Sequence, residues 1–218
     1  MERKMNAEAN PGVKPVKSVK DLRKWEKQIE KSGSLKLLSY FVLGLDTGLP
    51  PCFLCNLKWA DIQHEKQSGP IEVIDHFLLV PSKIQDEPRK IYLSSKTIAV
   101  TRQLREKYPE EHYVFQSNSP NQKKVRPVHE NAMRQMLRES AKKAGIAKDE
   151  AIGPITLRKS FGYHHLVHGT WTLHELMRYF EQRTLKATKT YVDITDESIN
   201  EERLPRKKRE KIGQIRKS

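Results

Sequence analysis

The spacing of hydrophobic residues changes twice along the chain, from a helical period to short β-like runs near residue 70 and back near residue 95. In the first part, Leu22, Trp25 and Ile29 recur three or four residues apart, which predicts a short amphipathic helix that starts from Ser18. A second helix is predicted to begin near Ser34, and its apolar residues are dense enough for it to be largely buried. Those residues are Leu35, Leu37, Leu38, Phe41, Val42 and Leu45. Gly48 predicts the end of this helix, and Pro51 suits the first turn of a third one.

The middle of the chain contains three short runs with β character, at 71–74, 77–80 and 90–93, and polar turn-like segments separate them. They predict a small antiparallel sheet. Helical spacing returns at 95–107 and at 128–144, where the second stretch carries one apolar stripe and is followed by Gly145. Further short helices are predicted at 156–168, 173–180 and 188–192. The expected class is therefore α+β, mainly α.

Three parts are predicted along the sequence. Residues 1–34 are polar and are interpreted as an N-terminal arm that contains the first amphipathic helix. Residues 35–195 form the folded domain. Residues 196–218 form a basic tail, whose run of four basic residues at 206–209 is typical of a segment that stays disordered unless it meets a partner.

The chain is strongly basic. Its 218 residues include 41 lysines and arginines against 27 aspartates and glutamates, a formal net charge of +14 that is spread over the whole length. Such a surface favours a polyanion as partner, of which nucleic acid is the commonest in a cell, although a solvated surface without a dedicated partner is the alternative. No apolar run approaches the roughly 20 residues of a membrane-spanning helix, so a cytoplasmic protein is expected.

Metal and redox chemistry are disfavoured by the residue pattern. Cys52 and Cys55 could be half a zinc site or a redox pair, but there is no second pair and no local βαβ pattern, so two ordinary thiols are expected. His165 and His168 have a spacing that can hold a metal, yet the motif offers no carboxylate or cysteine ligand. We expect neither a metal nor a cofactor.

Six short segments stand in a specific order. They are 46–54, 57–62, Lys83 among the strands, 155–158, 180–182 and Tyr191. This order resembles the catalytic domain of tyrosine recombinases, the phage integrase family of DNA strand-exchange enzymes. That family reads Thr-Gly-Leu-Arg-x-x-Glu-Leu, then hydrophobic-Trp-x-Asp-Ile, a hairpin lysine, His-x-Leu-Arg, Leu-Gly-His and a tyrosine. The resemblance covers about residues 35–195 and implies helices around a small three-stranded antiparallel sheet.

The resemblance also implies roles for three residues. The family attacks a DNA backbone phosphate with its tyrosine, without a metal or cofactor, and so needs a nucleophile, a proton for the leaving 5′ oxygen and fixed positive charge at phosphorus. Tyr191 would be the nucleophile, Lys83 the candidate general acid and Arg158 a phosphate ligand. Structural alternatives remain open: Tyr191 could pack with its hydroxyl bonded, Arg158 could pair with an acidic residue, and Lys83 could be solvated.

Several positions depart from the family pattern. Pro50 stands at the first arginine, Ile155 at the first histidine and Gln182 at the second histidine, while Phe53 replaces the glutamate. Proline and isoleucine side chains cannot donate a charged hydrogen bond. Because loss of a guanidinium can slow phosphoryl transfer by about 10³ to 10⁵, strand cleavage is expected to be severely impaired.

Residues that would hold DNA are retained. Around the family's scissile phosphate and along the helix predicted at 128–144, the candidate contacts are Lys159, Arg183, Lys186, Lys189, Arg126, Arg134, Arg138 and Lys142. The expected partners are double-stranded DNA, further copies of the chain on that DNA and a recombinase or regulatory protein. The leading hypothesis is a repressor-like regulator or accessory factor of a phage or mobile element. The alternative is an active recombinase that works through a 3′-phosphotyrosine intermediate, and a third class is a protein-interaction module with incidental charge.

Overall fold

The structure is a computed structural model that describes residues 12–67, 73–82, 87–118, 124–146 and 151–195. These residues form eight α-helices and one three-stranded antiparallel sheet, which confirms the expected class. The helices are α1 Val19–Lys31, α2 Leu35–Thr47, α3 Pro51–Asn56, α4 Ser95–Lys107, α5 Glu130–Lys143, α6 Pro154–Val167, α7 Leu173–Tyr179 and α8 Leu185–Tyr191. The strands are β1 Ile62–Gln67, β2 Val73–Val80 and β3 Arg89–Tyr92. Among these described helices, none combines the length and the apolar character that a membrane crossing requires.

Local sequence signals explain where the first helices begin and end. The side chains of Ser18 and Ser34 accept hydrogen bonds from backbone N–H groups in the first turns of α1 and α2, which replaces partners that the helix cannot supply. Gly48 ends α2 with a φ of 58°, a left-handed conformation that glycine adopts without steric penalty. A Cβ at Gly48 would also collide with the ring of Phe161, so this turn packs directly on α6.

The central helix of the core is α2, which contacts α1, α4, α5 and α6 and buries Tyr40, Phe41 and Leu43. The ring of Trp25 on α1 lies 4.9 Å from that of Phe41, and its indole N–H donates to the Ser140 hydroxyl at 2.7 Å. Helix α1, which the sequence analysis assigned to an N-terminal arm, thus packs on α2 and α5. The boundary expected at residue 34 falls between two helices of one packed core.

The sheet corrects one sequence-based prediction. The runs at 71–74 and 77–80 were predicted as two strands, but their described residues belong to a single strand, β2, and the first strand is Ile62–Gln67. The apolar pattern does not predict strand β1, because only its first residue is apolar. The strand nevertheless pairs with β2, with Ile62 opposite Leu78 and His64 opposite His76. An edge strand with mostly half-exposed or exposed side chains needs no apolar run.

The side chains of Cys55, His164 and His165 have protein partners. Cys55 is buried against the Tyr40 hydroxyl, and burial raises the pKa of its thiol to about 11, while Cys52 is exposed. His164 Nε2 lies 3.0 Å from the Val16 carbonyl oxygen, and His165 Nδ1 lies 2.6 Å from the Thr170 hydroxyl. Within the described ranges, no three His, Cys, Asp or Glu side chains are grouped so as to hold a metal ion.

Candidate active site

Helices α6, α7 and α8 bring Arg158 and Tyr191 together. Pro154 opens α6, where its missing N–H is harmless, and the next turns are buried on most sides. As a result Arg158 is only 6% exposed, although arginine is rarely buried. Helix α7 packs against both α6 and α8, and Tyr191, the last residue of α8, is 3% exposed.

The guanidinium of Arg158 is bound to the backbone of two turns. Its Nη1 donates to the Gly48 carbonyl after α2, and its Nη2 donates to the Phe180 carbonyl after α7 at 3.3 Å. The same group lies 4.1 Å from the centroid of the Phe180 ring, close enough for a cation–π interaction. Arg158 therefore clamps two turns together, and each Nη group donates one of its two N–H bonds to a protein carbonyl.

The hydroxyl of Tyr191 is held as a neutral phenol. Burial raises its pKa, and the positive charge and hydrogen bond of Arg158 lower it in part. The ring packs edge-on against Phe180 at 5.4 Å, and the Lys159 ammonium lies 5.0 Å from its centroid. The structure thus places the predicted nucleophile and the predicted phosphate ligand in direct contact, both in the protein interior.

Lys159 contacts the N-terminal segment. Its Nζ donates to the Val13 carbonyl at 2.6 Å, and burial lowers the pKa of its amine. The neighbouring Ser160 hydroxyl accepts from the Val16 N–H at 2.8 Å, so residues 13–16 lie along α6. Lys159, a predicted DNA contact, has its charged group engaged inside the protein.

The positions that depart from the motifs contribute little charge. Pro50 precedes α3 with its carbonyl accepting from Leu54 N–H at 3.1 Å, and Ile155 is half-buried against the core. Phe53 also packs against the core. Gln182 has a buried side-chain oxygen without a hydrogen-bond partner, so its amide could contact a bound group. Lys83 lies outside the described residues.

A second, largely buried guanidinium, that of Arg89, is not predicted by the sequence motifs. Its Nη1 donates to the Tyr179 carbonyl at 3.0 Å, and its Nη2 lies 3.4 Å from Glu181 Oε1. The same carboxylate oxygen accepts from the Ser82 hydroxyl at 3.2 Å. Glu181 has a φ of 55° and stands where the Leu-Gly-His motif has its glycine. A large acidic residue at a glycine position was the signal that could have revealed this pair.

Exposed basic residues lie on α5 and around the start of α8. Arg134, Arg138 and Lys142 are exposed along α5, preceded by exposed Arg126, and we call these four residues the α5 edge. The stem of Arg134 packs on Gly153, which precedes α6, and its guanidinium pairs with Glu130 at 3.2 Å. Of the remaining predicted contacts, Arg183 and Lys186 are exposed and Lys189 is half-buried.

Comparison with known proteins identifies the family of this chain. The model of the phage integrase family matches residues 17–198. The "Probable integrase/recombinase YoeC" of Bacillus subtilis (strain 168) is 25% identical over 186 residues, which are 85% of this chain and 92% of that protein.

Solved recombinases share the fold. The XerA recombinase superposes with a TM-score of 0.62 at 18% identity, over 87% of this chain and 62% of the other. XerH bound to its difH substrate gives 0.60 at 17% identity, over 80% and 48%. The Tn1549 transposon integrase with circular intermediate DNA gives 0.61 at 18% identity, over 89% and 67%. The chain thus spans about half to two thirds of the length of these solved proteins.

Proposed function

The chain belongs to the phage integrase family, and on that premise we propose that it is a duplex-DNA-binding protein whose strand cleavage is strongly impaired. It acts as a repressor-like regulator or accessory factor of a phage or mobile element, in contact with further copies of itself or with a recombinase. The observation that carries the proposal is the state of Arg158 and Tyr191. The first is bound by two backbone carbonyls, and the second is buried as a neutral phenol.

Charge supports the DNA partner. The net charge of +14 favours a polyanion, and the α5 edge offers exposed guanidinium and ammonium groups that can neutralise phosphates. XerH and the Tn1549 integrase, which share the fold, are bound to DNA in their solved structures. Phosphate contacts of this kind position a protein on the duplex and make its affinity fall with salt.

Two features support impaired cleavage. Pro50 and Ile155 cannot stabilise charge on phosphorus, and a missing guanidinium alone lowers phosphoryl-transfer rates by about 10³ to 10⁵. In the free protein, two of the five N–H donors of the remaining arginine already bind backbone carbonyls, which leaves fewer donors for a phosphate. Hydrogen bonds from a charged donor contribute about 1.5 to 3 kcal/mol each, so a phosphate pose that displaced either carbonyl would oppose catalysis further.

One observation favours the alternative, an active recombinase. Burial raises the pKa of the Tyr191 phenol, but the charge of Arg158 beside it offsets part of that rise, as a phosphate ligand next to a nucleophile would. YoeC, which the chain resembles over nearly its full length, is described as a probable integrase/recombinase. The two candidates differ in one product, the covalent protein–DNA adduct.

A two-step experiment tests the proposal. Sequencing of genomic fragments retained by the protein identifies a preferred site, and a palindrome there would imply a two-fold assembly. A nicked duplex of that site, which traps cleavage, is then incubated with wild type and with Tyr191→Phe. Selective binding without an adduct supports the proposal, and an adduct that Tyr191→Phe abolishes supports the recombinase. Weak binding with little salt dependence contradicts both and favours the protein-interaction module.

A further inference from the structure

Arg89 is a charged group inside the fold with incomplete bonding. Its side chain is 13% exposed, and it has one carbonyl and one carboxylate as partners. Its Nε is buried and has no hydrogen-bond partner. Guanidinium groups carry five donors, and a buried donor without a partner is unfavourable, so Arg89 can accept a further anionic ligand.

Arg89 and Arg158 converge on the same short stretch of backbone. Arg89 donates to the carbonyl of Tyr179 and Arg158 to the carbonyl of Phe180, which is the next residue. Consecutive Cα atoms are only about 3.8 Å apart, so the two guanidinium groups approach the C-terminal end of α7 together. Arg158 Nε and Gln182 Oε1 are likewise buried without partners, which places three unsatisfied polar atoms on residues around this one turn.

Glu181 is built into the turn as an anion. It adopts a φ of 55°, which is unfavourable for a residue with a Cβ by about 1 to 2 kcal/mol. Its carboxylate nevertheless reaches Arg89 and Ser82 with one oxygen. A carboxylate and a phosphodiester carry the same single negative charge and two acceptor oxygens, so each can bind a guanidinium fork.

We propose that Arg89 is a second phosphate-binding guanidinium of this site, which Glu181 occupies in the free protein and a DNA phosphodiester takes over on binding. This inference rests on the proposed DNA-binding function and names a residue that contacts the backbone. It does not restore the charge lost at Pro50 for chemistry, because Arg89 contacts Tyr179 and Glu181 rather than Tyr191.

A double-mutant cycle separates this role from a purely structural ion pair. Wild type, Arg89→Gln, Glu181→Gln and the double variant are titrated into a fluorescein-labelled duplex, by anisotropy, as salt rises from about 50 to about 200 mM. Arg89→Gln is expected to weaken binding about tenfold and to reduce the salt slope by about one, since one phosphate contact is lost. Glu181→Gln is expected to tighten binding about three- to tenfold, because Arg89 no longer has a competing internal anion.

The coupling between the two substitutions distinguishes a phosphate-binding role of Arg89 from a purely structural ion pair. The gain from Glu181→Gln must disappear in the Arg89→Gln background, whereas removal of any nearby negative charge would tighten binding in both backgrounds. Arg23→Gln, at an exposed arginine on α1, is the charge-matched control and should leave the salt slope within about half a unit of wild type. A salt slope unchanged in Arg89→Gln, or an equal gain from Glu181→Gln in both backgrounds, overturns the inference but leaves the proposed function intact. Wild type that does not bind duplex overturns both.

A spectroscopic measurement on the unmutated protein covers the case in which the variants fail to fold. The ¹⁵Nε–H resonance of Arg89, assigned by through-bond correlation to its own side chain and backbone, is followed as the same duplex is added. A shift that saturates with the bound fraction is the expected result. A resonance that does not move while binding proceeds shows that no phosphate reaches Arg89.

Discussion

Replacement of Arg158 by alanine should strongly destabilise the fold, because this side chain clamps two turns. The substitution removes the hydrogen bonds to Gly48 and Phe180 and the stacking on the Phe180 ring at 4.1 Å. Each charged hydrogen bond contributes about 1.5 to 3 kcal/mol and the cation–π contact about 1, while relief from burying the charge offsets part of this. We therefore expect a loss of about 3 to 5 kcal/mol in the free energy of unfolding.

Urea denaturation followed by tryptophan fluorescence measures this loss. With a slope of about 2 kcal/mol per molar urea, the midpoint should fall by about 1.5 to 2.5 M. Arg183→Ala, at an exposed arginine after α7, is the matched control and should stay within about 0.5 kcal/mol of wild type. If Arg158→Ala unfolds at the wild-type midpoint, the guanidinium is not a clamp. The two Nη donors that bind carbonyls would then be as available to a phosphate as the other donors of Arg158, and the support that its carbonyl partners give to impaired cleavage would fail.

Three further expectations concern stability. Gly48→Ala should lower the free energy of unfolding by about 3 kcal/mol or more in the same denaturation assay, because the added Cβ would stand at a φ of 58° and collide with Phe161. An unchanged free energy of unfolding would contradict the described turn. Trp25→Ala should lower the melting temperature, since the indole is fully buried and its removal costs about 3 to 5 kcal/mol in the free energy of unfolding. An unchanged melting temperature would show that α1 is a detached arm. Burial keeps the pKa of His165 at about 4, below the 6.5 of the unfolded chain. Because the unfolded state therefore binds more protons, the free energy of unfolding should decline by about 2 to 3 kcal/mol as pH falls from about 6.5 to 4. His165→Gln should flatten urea midpoints over that range, and an equally steep decline would assign it to other groups.

Local signals in the sequence were sufficient to predict most helices, whereas strand β1 and the partners of the site residues depend on tertiary packing. Ser18, Ser34 and Gly48 mark helix ends that the structure reproduces, because caps act within a few residues. Strand β1 was missed because an edge strand can be polar and still pair. The sequence motifs brought Arg158 and Tyr191 to one site, but neither the burial of Arg158 nor its carbonyl partners can be deduced from a motif. The acidic residue at the motif's glycine position marks Glu181, but Arg89 is over ninety positions away, so only the fold identifies it as the partner.

The central claim is that this member of the phage integrase family retains DNA binding while cleavage is strongly impaired. The most direct test is the amount of protein covalently attached to a nicked duplex of the selected site, compared between wild type and Tyr191→Phe at saturating protein. We expect both proteins to bind the site and neither to form adduct above the background of Tyr191→Phe. An adduct that accumulates in wild type and is absent from Tyr191→Phe would contradict the claim and identify an active recombinase.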